Sequence, residues 1–176
     1  MLELITFALV IGLDQLSKYL TDMYLSPLGT SYPLWEGVFH LTSAHNTGAA
    51  FSMLAGARWL FVAVTLAVLL GAVWLVVKKR QMLHPLFRFS LALIVAGAVG
   101  NNLIDRLFFG YVRDMLDFCL INFAVFNVAD VAICVGAGLM LIDLLFTKKG
   151  RALVDALDDP SKKKPKKPAG EQSSDH

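Results

Sequence analysis

Four long apolar runs constrain this chain more than any other feature. They cover about Leu4–Leu20, Trp59–Val77, Phe89–Phe109 and Val125–Phe146. A helix needs about 20 mostly apolar residues to cross a bilayer, and in lipid it must satisfy its own backbone hydrogen bonds. The whole chain is 56% hydrophobic with a mean hydropathy of +0.60, above the ~45–50% apolar content of soluble domains. The expected architecture is an all-α integral membrane domain of four transmembrane helices over residues 1–148. The first run begins Met-Leu-Glu, is interrupted by Asp14 and is followed by no small-x-small site. It reads as a retained helix, not a cleaved leader.

The basic residues orient the spans. Lys78, Lys79, Arg80 and Arg88 flank the short link between the second and third runs, and Lys148, Lys149 and Arg151 follow the fourth. Basic flanks stay cytoplasmic, so both termini are expected inside, and the loops at 21–58 and 110–124 outside. The first outer loop carries Tyr32-Pro33-Leu34-Trp35 and Val38-Phe39-His40-Leu41-Thr42. Its β-branched and aromatic residues predict a small, partly β extracytoplasmic cap over about 22–58 at the membrane surface. Residues 149–176 are lysine-rich, contain proline and lack aromatics. They read as a basic, disordered cytoplasmic tail, with attraction to anionic headgroups as a further option.

Charged groups inside spans are costly and mark function or helix pairing. Asp14 lies ~15 Å of helix rise into the first span, and Lys18 follows at i+4, a spacing that forms helical ion pairs. A structural role suits them. Gly97, Asn101 and Asp105 recur at i, i+4 and i+8, so they share a helix stripe; with Gly100 and Arg106 they suit close helix contact and scaffold hydrogen bonding.

Beyond the third span lie Arg113, Asp114 and Asp117; the fourth opens with Phe126-Asn127-Val128-Ala129-Asp130. Both regions are expected at the outer face. Two carboxylates converging there suit aspartic proteolysis, because neighbouring carboxylates cannot both ionise readily. The ionised one activates water while the protonated one polarises the scissile carbonyl. There is no HExxH or GxSxG to support metal or serine chemistry. His40 and His45 share the outer loop, where hydrogen bonding within the cap is the expected role. His84 and His176 fall on the cytoplasmic side. Cys119 and Cys134 fit no CxxC pattern and read as small packing residues. No metal, cofactor or nucleic-acid partner is expected.

Five motifs stand in order: Asp14-Gln15-x-x-Lys18, Asn46-Thr-Gly-Ala-Ala-Phe51, Gly97-x-x-Gly100-Asn101-x-x-x-Asp105-Arg106, Val112-x-Asp114 and Phe126-Asn127-x-Ala129-Asp130. Together they cover about residues 10–140. The chain resembles the lipoprotein signal peptidase family, also called signal peptidase II.

The resemblance implies a four-span aspartic endopeptidase of the bacterial cytoplasmic membrane. Its site would face outward, and it would cut diacylglyceryl-modified prolipoproteins just before the lipidated cysteine. It places the catalytic pair on Asp114 and Asp130, and substrate contact or site support on Asn46, Gly48, Asn101, Arg106 and Asn127. Asp14, Lys18 and Asp105 fall at structural positions. Globomycin-type cyclic peptides would inhibit the enzyme, and membrane lipid is its other partner. Arg113 departs from the valine common in the family. The valine-x-aspartate register favours Asp114 over the nearby Asp117. A proton-coupled carrier using Asp14, Lys18, Asp105 and Asp130 is a competing reading, weakened by the short chain without evident repeats; a non-catalytic membrane adaptor is a third.

Overall fold

The computed structural model describes residues 1–48 and 53–158, the side chains of 156–158 aside. Four helices are long and apolar enough to cross a membrane: α1 (Leu2–Tyr24), α2 (Arg58–Lys79), α3 (Pro85–Phe108) and α4 (Val128–Phe146). They coincide with the four apolar runs. Leucine, isoleucine and tryptophan side chains along α1, α2 and α4 point outward, as with Leu9, Leu70, Trp74 and Leu141. In water such a surface would be unstable; against acyl chains it costs nothing.

The centre of the bundle is α3, half of whose apolar stretch is buried, packed against α4, α1 and α2. Small residues permit the approach. A methyl group added at Gly97 would run into the carbonyl oxygen of Ala129 and lie 2.7 Å from Ile133 Cγ1, and one at Gly136 would meet the Ser90 carbonyl at 2.8 Å. With no hydrophobic drive between helices in lipid, such backbone-to-backbone packing holds them together.

One end of the bundle carries an antiparallel sheet of β1 (Ser31–Trp35), β2 (Phe39–Asn46) and β3 (Val112–Asp117), in the order β1-β2-β3. Gly37, with φ +70°, makes the β1–β2 turn, a conformation open to glycine at little cost. Pro33 sits on the edge strand, where its missing N–H is tolerated. The expected small sheet is present, and its third strand comes from the link between α3 and α4. That strand was not anticipated: Val-Arg-Asp-Met-Leu-Asp lacks a clean alternation because Val112 to Met115 are buried whichever way they point. Phe126 closes the arrangement, accepting from Leu116 N–H at 2.8 Å and donating back at 3.0 Å. The entry to α4 is thereby tied to β3.

Two further differences concern helices. Within α3, Val99–Asp105 form a π-helical turn, a feature often found at functional sites. At the far end, Lys148–Asp158 form a helix, α5, where irregular chain was expected from residue 149. Thr147 starts it: its hydroxyl accepts from Gly150 N–H at 2.9 Å, an N-cap that offsets the lysines at the positive helix terminus. The remainder of the expected tail lies outside the described residues.

Candidate active site

Asp114 stands on β3, opposite Ala44 of β2, and is 3% exposed. Asp130 occupies the first turn of α4. Asn127 joins them. As N-cap of α4, its side-chain oxygen accepts from Asp130 N–H at 2.9 Å, and its own N–H donates to Asp130 Oδ2 at 3.1 Å. That is a capping box with aspartate in the glutamate position. The Asn127 amide then donates to Asp114 Oδ1 at 2.6 Å. One residue thus terminates a helix and fixes both carboxylates.

Asn101, on the π-helical turn, donates to Asp130 Oδ1 at 2.8 Å. Asn46 hydrogen-bonds the Asp114 carboxyl from β2. Burial, and after it the charge of Asp130, push the Asp114 carboxyl up to about 7, against the pull of Asn127 and Asn46. Desolvation penalises the charged form, and a like charge nearby adds to it. At neutral pH this carboxyl can give or take a proton.

Both aspartates face a cavity of about 490 Å³. Asn46, Gly48, Asn101 and Arg106 line it too, and its other walls are apolar: Phe61 from α2, Phe126, and Val131, Ile133 and Val135 from α4. Arg106 leaves the aspartates to amides. Its Nε donates to Asn102 Oδ1 at 3.0 Å, its two terminal nitrogens to the Thr47 and Gly48 carbonyls, and its guanidinium lies 4.3 Å over the Phe61 ring. Arginine therefore pins the loop after β2 to α2 and α3. Asp117 turns elsewhere, accepting from Thr42 within the sheet at 2.8 Å.

Behind the two aspartates lies a dry ionic network. Lys18 Nζ reaches Asp14 Oδ2 at 2.8 Å and Asp105 Oδ2 at 2.9 Å, all three side chains being fully buried. It also donates to Asn101 Oδ1 at 2.7 Å, orienting the amide that serves Asp130. Asp14 Oδ1 accepts from Ala129 N–H at 3.0 Å, beside Asp130. The sequence motifs contain these residues, yet three other members were not anticipated in this role: Gln15, Asp22 and Arg113. Arg113 points away from the cavity, reaching Asp105 and Gln15 at 2.8 Å and Asp22 at 3.1 Å. Side chains alternate along a strand, so the residue beside Asp114 belongs to the opposite face. Asp143 was also missed. It is 1% exposed near the other end of α4, 2.7 Å from His84 Nδ1.

His40 hydrogen-bonds within the cap, as expected, with Ser31 Oγ at 3.2 Å and Gly37 N–H at 3.3 Å. Both cysteines are free. Cys134 is exposed on α4 and lines the cavity, so it is no packing residue.

Four spans around a cavity lined by two carboxylates, Asp114 buried and Asp130 partly so, define a membrane protein with a polar site at one end of its bundle. Comparison with known proteins makes the class specific. The family profile of signal peptidase II matches residues 6–146. The lipoprotein signal peptidase of Brevibacillus brevis is 46% identical over 144 residues, 81% of this chain and 93% of that protein. That of Caldanaerobacter subterraneus subsp. tengcongensis is 42% identical over 85% of this chain and 98% of its own length. A bacterial membrane enzyme solved by the in meso method at 2.3 Å superposes with a TM-score of 0.72 at 28% identity, covering 94% of this chain and 93% of that one. The chain belongs to the signal peptidase II family and is a multi-pass membrane peptidase.

Proposed function

We propose that Asp114 and Asp130 form the catalytic dyad of an aspartic endopeptidase that removes signal peptides from diacylglyceryl-modified prolipoproteins, cutting before the lipidated cysteine. The observation that carries this reading is the single asparagine, Asn127, bonded to both carboxylates at one cavity. Each carboxyl accepts two hydrogen bonds, so the roles divide by burial: Asp114 is buried and Asp130 only partly so, and desolvation favours the neutral form. Asp130 is the base. Asp114, at about 7, is the acid.

Asp130 takes a proton from water as the oxygen attacks the scissile carbonyl carbon. Asp114 gives its proton to the carbonyl oxygen. The tetrahedral diol collapses as the proton on Asp130 passes to the leaving amine and Asp114 recovers its own. No acyl-enzyme forms. The apolar walls receive the diacylglyceryl chains, which set the depth of the scissile bond. Globomycin-type peptides would occupy the same cavity. The basic residues at the opposite end favour a cytoplasmic location for both termini, and the cavity would then open to the outer face of the cytoplasmic membrane.

The test incubates purified protein with a diacylglyceryl-prolipoprotein and locates the cut by mass. The expected product begins at the lipidated cysteine and requires Asp114 and Asp130. The unlipidated precursor, at equal concentration in the same nanodisc, is expected to be cut far more slowly; equal kcat/KM would defeat the depth-setting role. A carrier or adaptor would leave the precursor at full length.

A further inference from the structure

A second cavity, of about 470 Å³, lies at the opposite end of the bundle between α1, α2 and α3. There α2 leans on α3 and hardly touches α1, so α3 forms the floor of a groove between the other two. Its walls are apolar, with Phe7 from α1, Leu69 and Val76 from α2, and Leu91 and Val95 from α3. Arg80, Arg88 and Glu3 gather at one end. Arg80 lies 3.5 Å and Arg88 3.3 Å from the same Glu3 oxygen. The Arg88 Nε is shut off from solvent, yet makes no hydrogen bond to it.

We infer that this groove holds one acyl chain of an anionic phospholipid, with the lipid phosphate on Arg80 and Arg88. Two guanidinium groups share one carboxylate, which leaves positive charge and free donors at the mouth. Arginine presents a planar fork that matches phosphate oxygens. Arg80 is half exposed, at 53%, and free to turn to a ligand, while Arg88, at 18%, is held in place. The dimensions agree with one leaflet. From Arg80 to Leu69 the helix rises ~16 Å, about half of the ~30 Å hydrocarbon core. The groove therefore runs from the headgroup level beside the α2–α3 link to near the midplane. A free anion would leave its apolar length empty, and a neutral lipid would leave the arginines unmatched.

Native mass spectrometry of the full chain in detergent tests this, with phosphatidylglycerol and phosphatidylcholine of identical acyl chains at equal concentration. A basic residue near an anionic headgroup contributes ~1 kcal/mol, so phosphatidylglycerol is expected to be retained roughly fivefold to thirtyfold better, the upper figure if both arginines act. Arg80→Gln with Arg88→Gln should bring the ratio close to one, Arg80→Lys with Arg88→Lys should preserve most of it, and Arg80→Gln alone should lower it severalfold. Ala72→Trp, which fills the groove, should lower retention of both lipids. Equal retention by the unaltered chain would overturn the inference. So would a preference that survives loss of both arginines, an Ala72→Trp protein that holds lipid as before, or displacement by inorganic phosphate at the lipid's concentration. Thermal melting of each variant confirms that the ratios are read on folded protein.

Discussion

Two sets of carboxylates, all but Asp130 buried, lie side by side beneath the cap, and they are treated differently. Asp14 and Asp105 are matched by cations: Lys18 pairs with both, and Arg113 with Asp105. Asp114 and Asp130 receive amides from Asn46, Asn101 and Asn127. Among the described residues no lysine or arginine forms an ion pair with either. A cation at contact distance ties a carboxylate to a fixed partner, which makes a good strut between helices. A neutral amide fixes position while leaving the proton free to move. One asparagine links the two worlds: Asn101 takes Lys18 on its oxygen and gives its nitrogen to Asp130.

The comparison breaks most sharply if the amide-held pair is dispensable. Asp114→Asn and Asp130→Asn are each expected to lower kcat by roughly 10⁴-fold or more, with the double variant little worse, because paired groups act as a unit. Asp117→Asn, within the sheet, should keep most activity. The assay is cleavage of lipidated precursor in matched detergent. Substantial turnover by either single variant would sink the dyad.

Next in size is the cation-matched set. Lys18→Met leaves Asp14 and Asp105 buried with their main partner gone, a change that costs about 3–5 kcal/mol when the pair is dry. Folded yield and melting temperature should fall further than the specific activity of the surviving protein. Asp14→Asn should behave the same way. A well-folded but inactive Asp14→Asn protein would move Asp14 out of the scaffold and into the chemistry.

Arg113→Val sharpens the division. It installs the residue common in the family and removes the cation joining Asp22, Gln15 and Asp105, while Lys18 still holds Asp105. Hydrogen bonds to charged groups contribute about 1.5–3 kcal/mol, so a loss near 2 kcal/mol is expected in chemical denaturation, with kcat nearly unchanged. A large fall in kcat without loss of stability would show that Arg113 tunes the neighbouring Asp114 directly.

How far the sequence reached follows the same division. A span is legible because twenty apolar residues in a row have few other fates, and all four were recovered. The motifs brought Asp14, Lys18, Asn101, Asp105, Asn127 and Asp130 within sight of one another. Partnership was harder to read. Arg113 meets Asp22 and Gln15 across about ninety residues of chain, and no local periodicity encodes that. The strand β3 was hidden because its faces are both covered, which erases the period-two pattern. The π-helical turn leaves no signature in Val-Gly-Asn-Asn-Leu-Ile-Asp. Asp143 drew no notice because a lone acid five residues before a lysine pair resembles an ordinary span end.

The smallest effect tests the amide-held side most directly. If Asp114 acts as the acid, cleavage needs it protonated, so kcat should fall as pH rises through its value of about 7. Asn46 hydrogen-bonds the ionised form and so lowers that value. Asn46→Ala removes the bond, the protonated form gains, and the falling limb should move to higher pH. A net hydrogen bond contributes about 1 kcal/mol, and one pKa unit corresponds to about 1.4 kcal/mol, so the shift should be roughly 0.7 unit. The two aspartates titrate together, so the limb belongs to the pair, but its direction follows from the amide. A pH–rate profile between 5 and 9 decides it. A limb that moves to lower pH, or stays in place while the rest of the profile changes, would show that Asp114 does not carry the proton donated to the substrate.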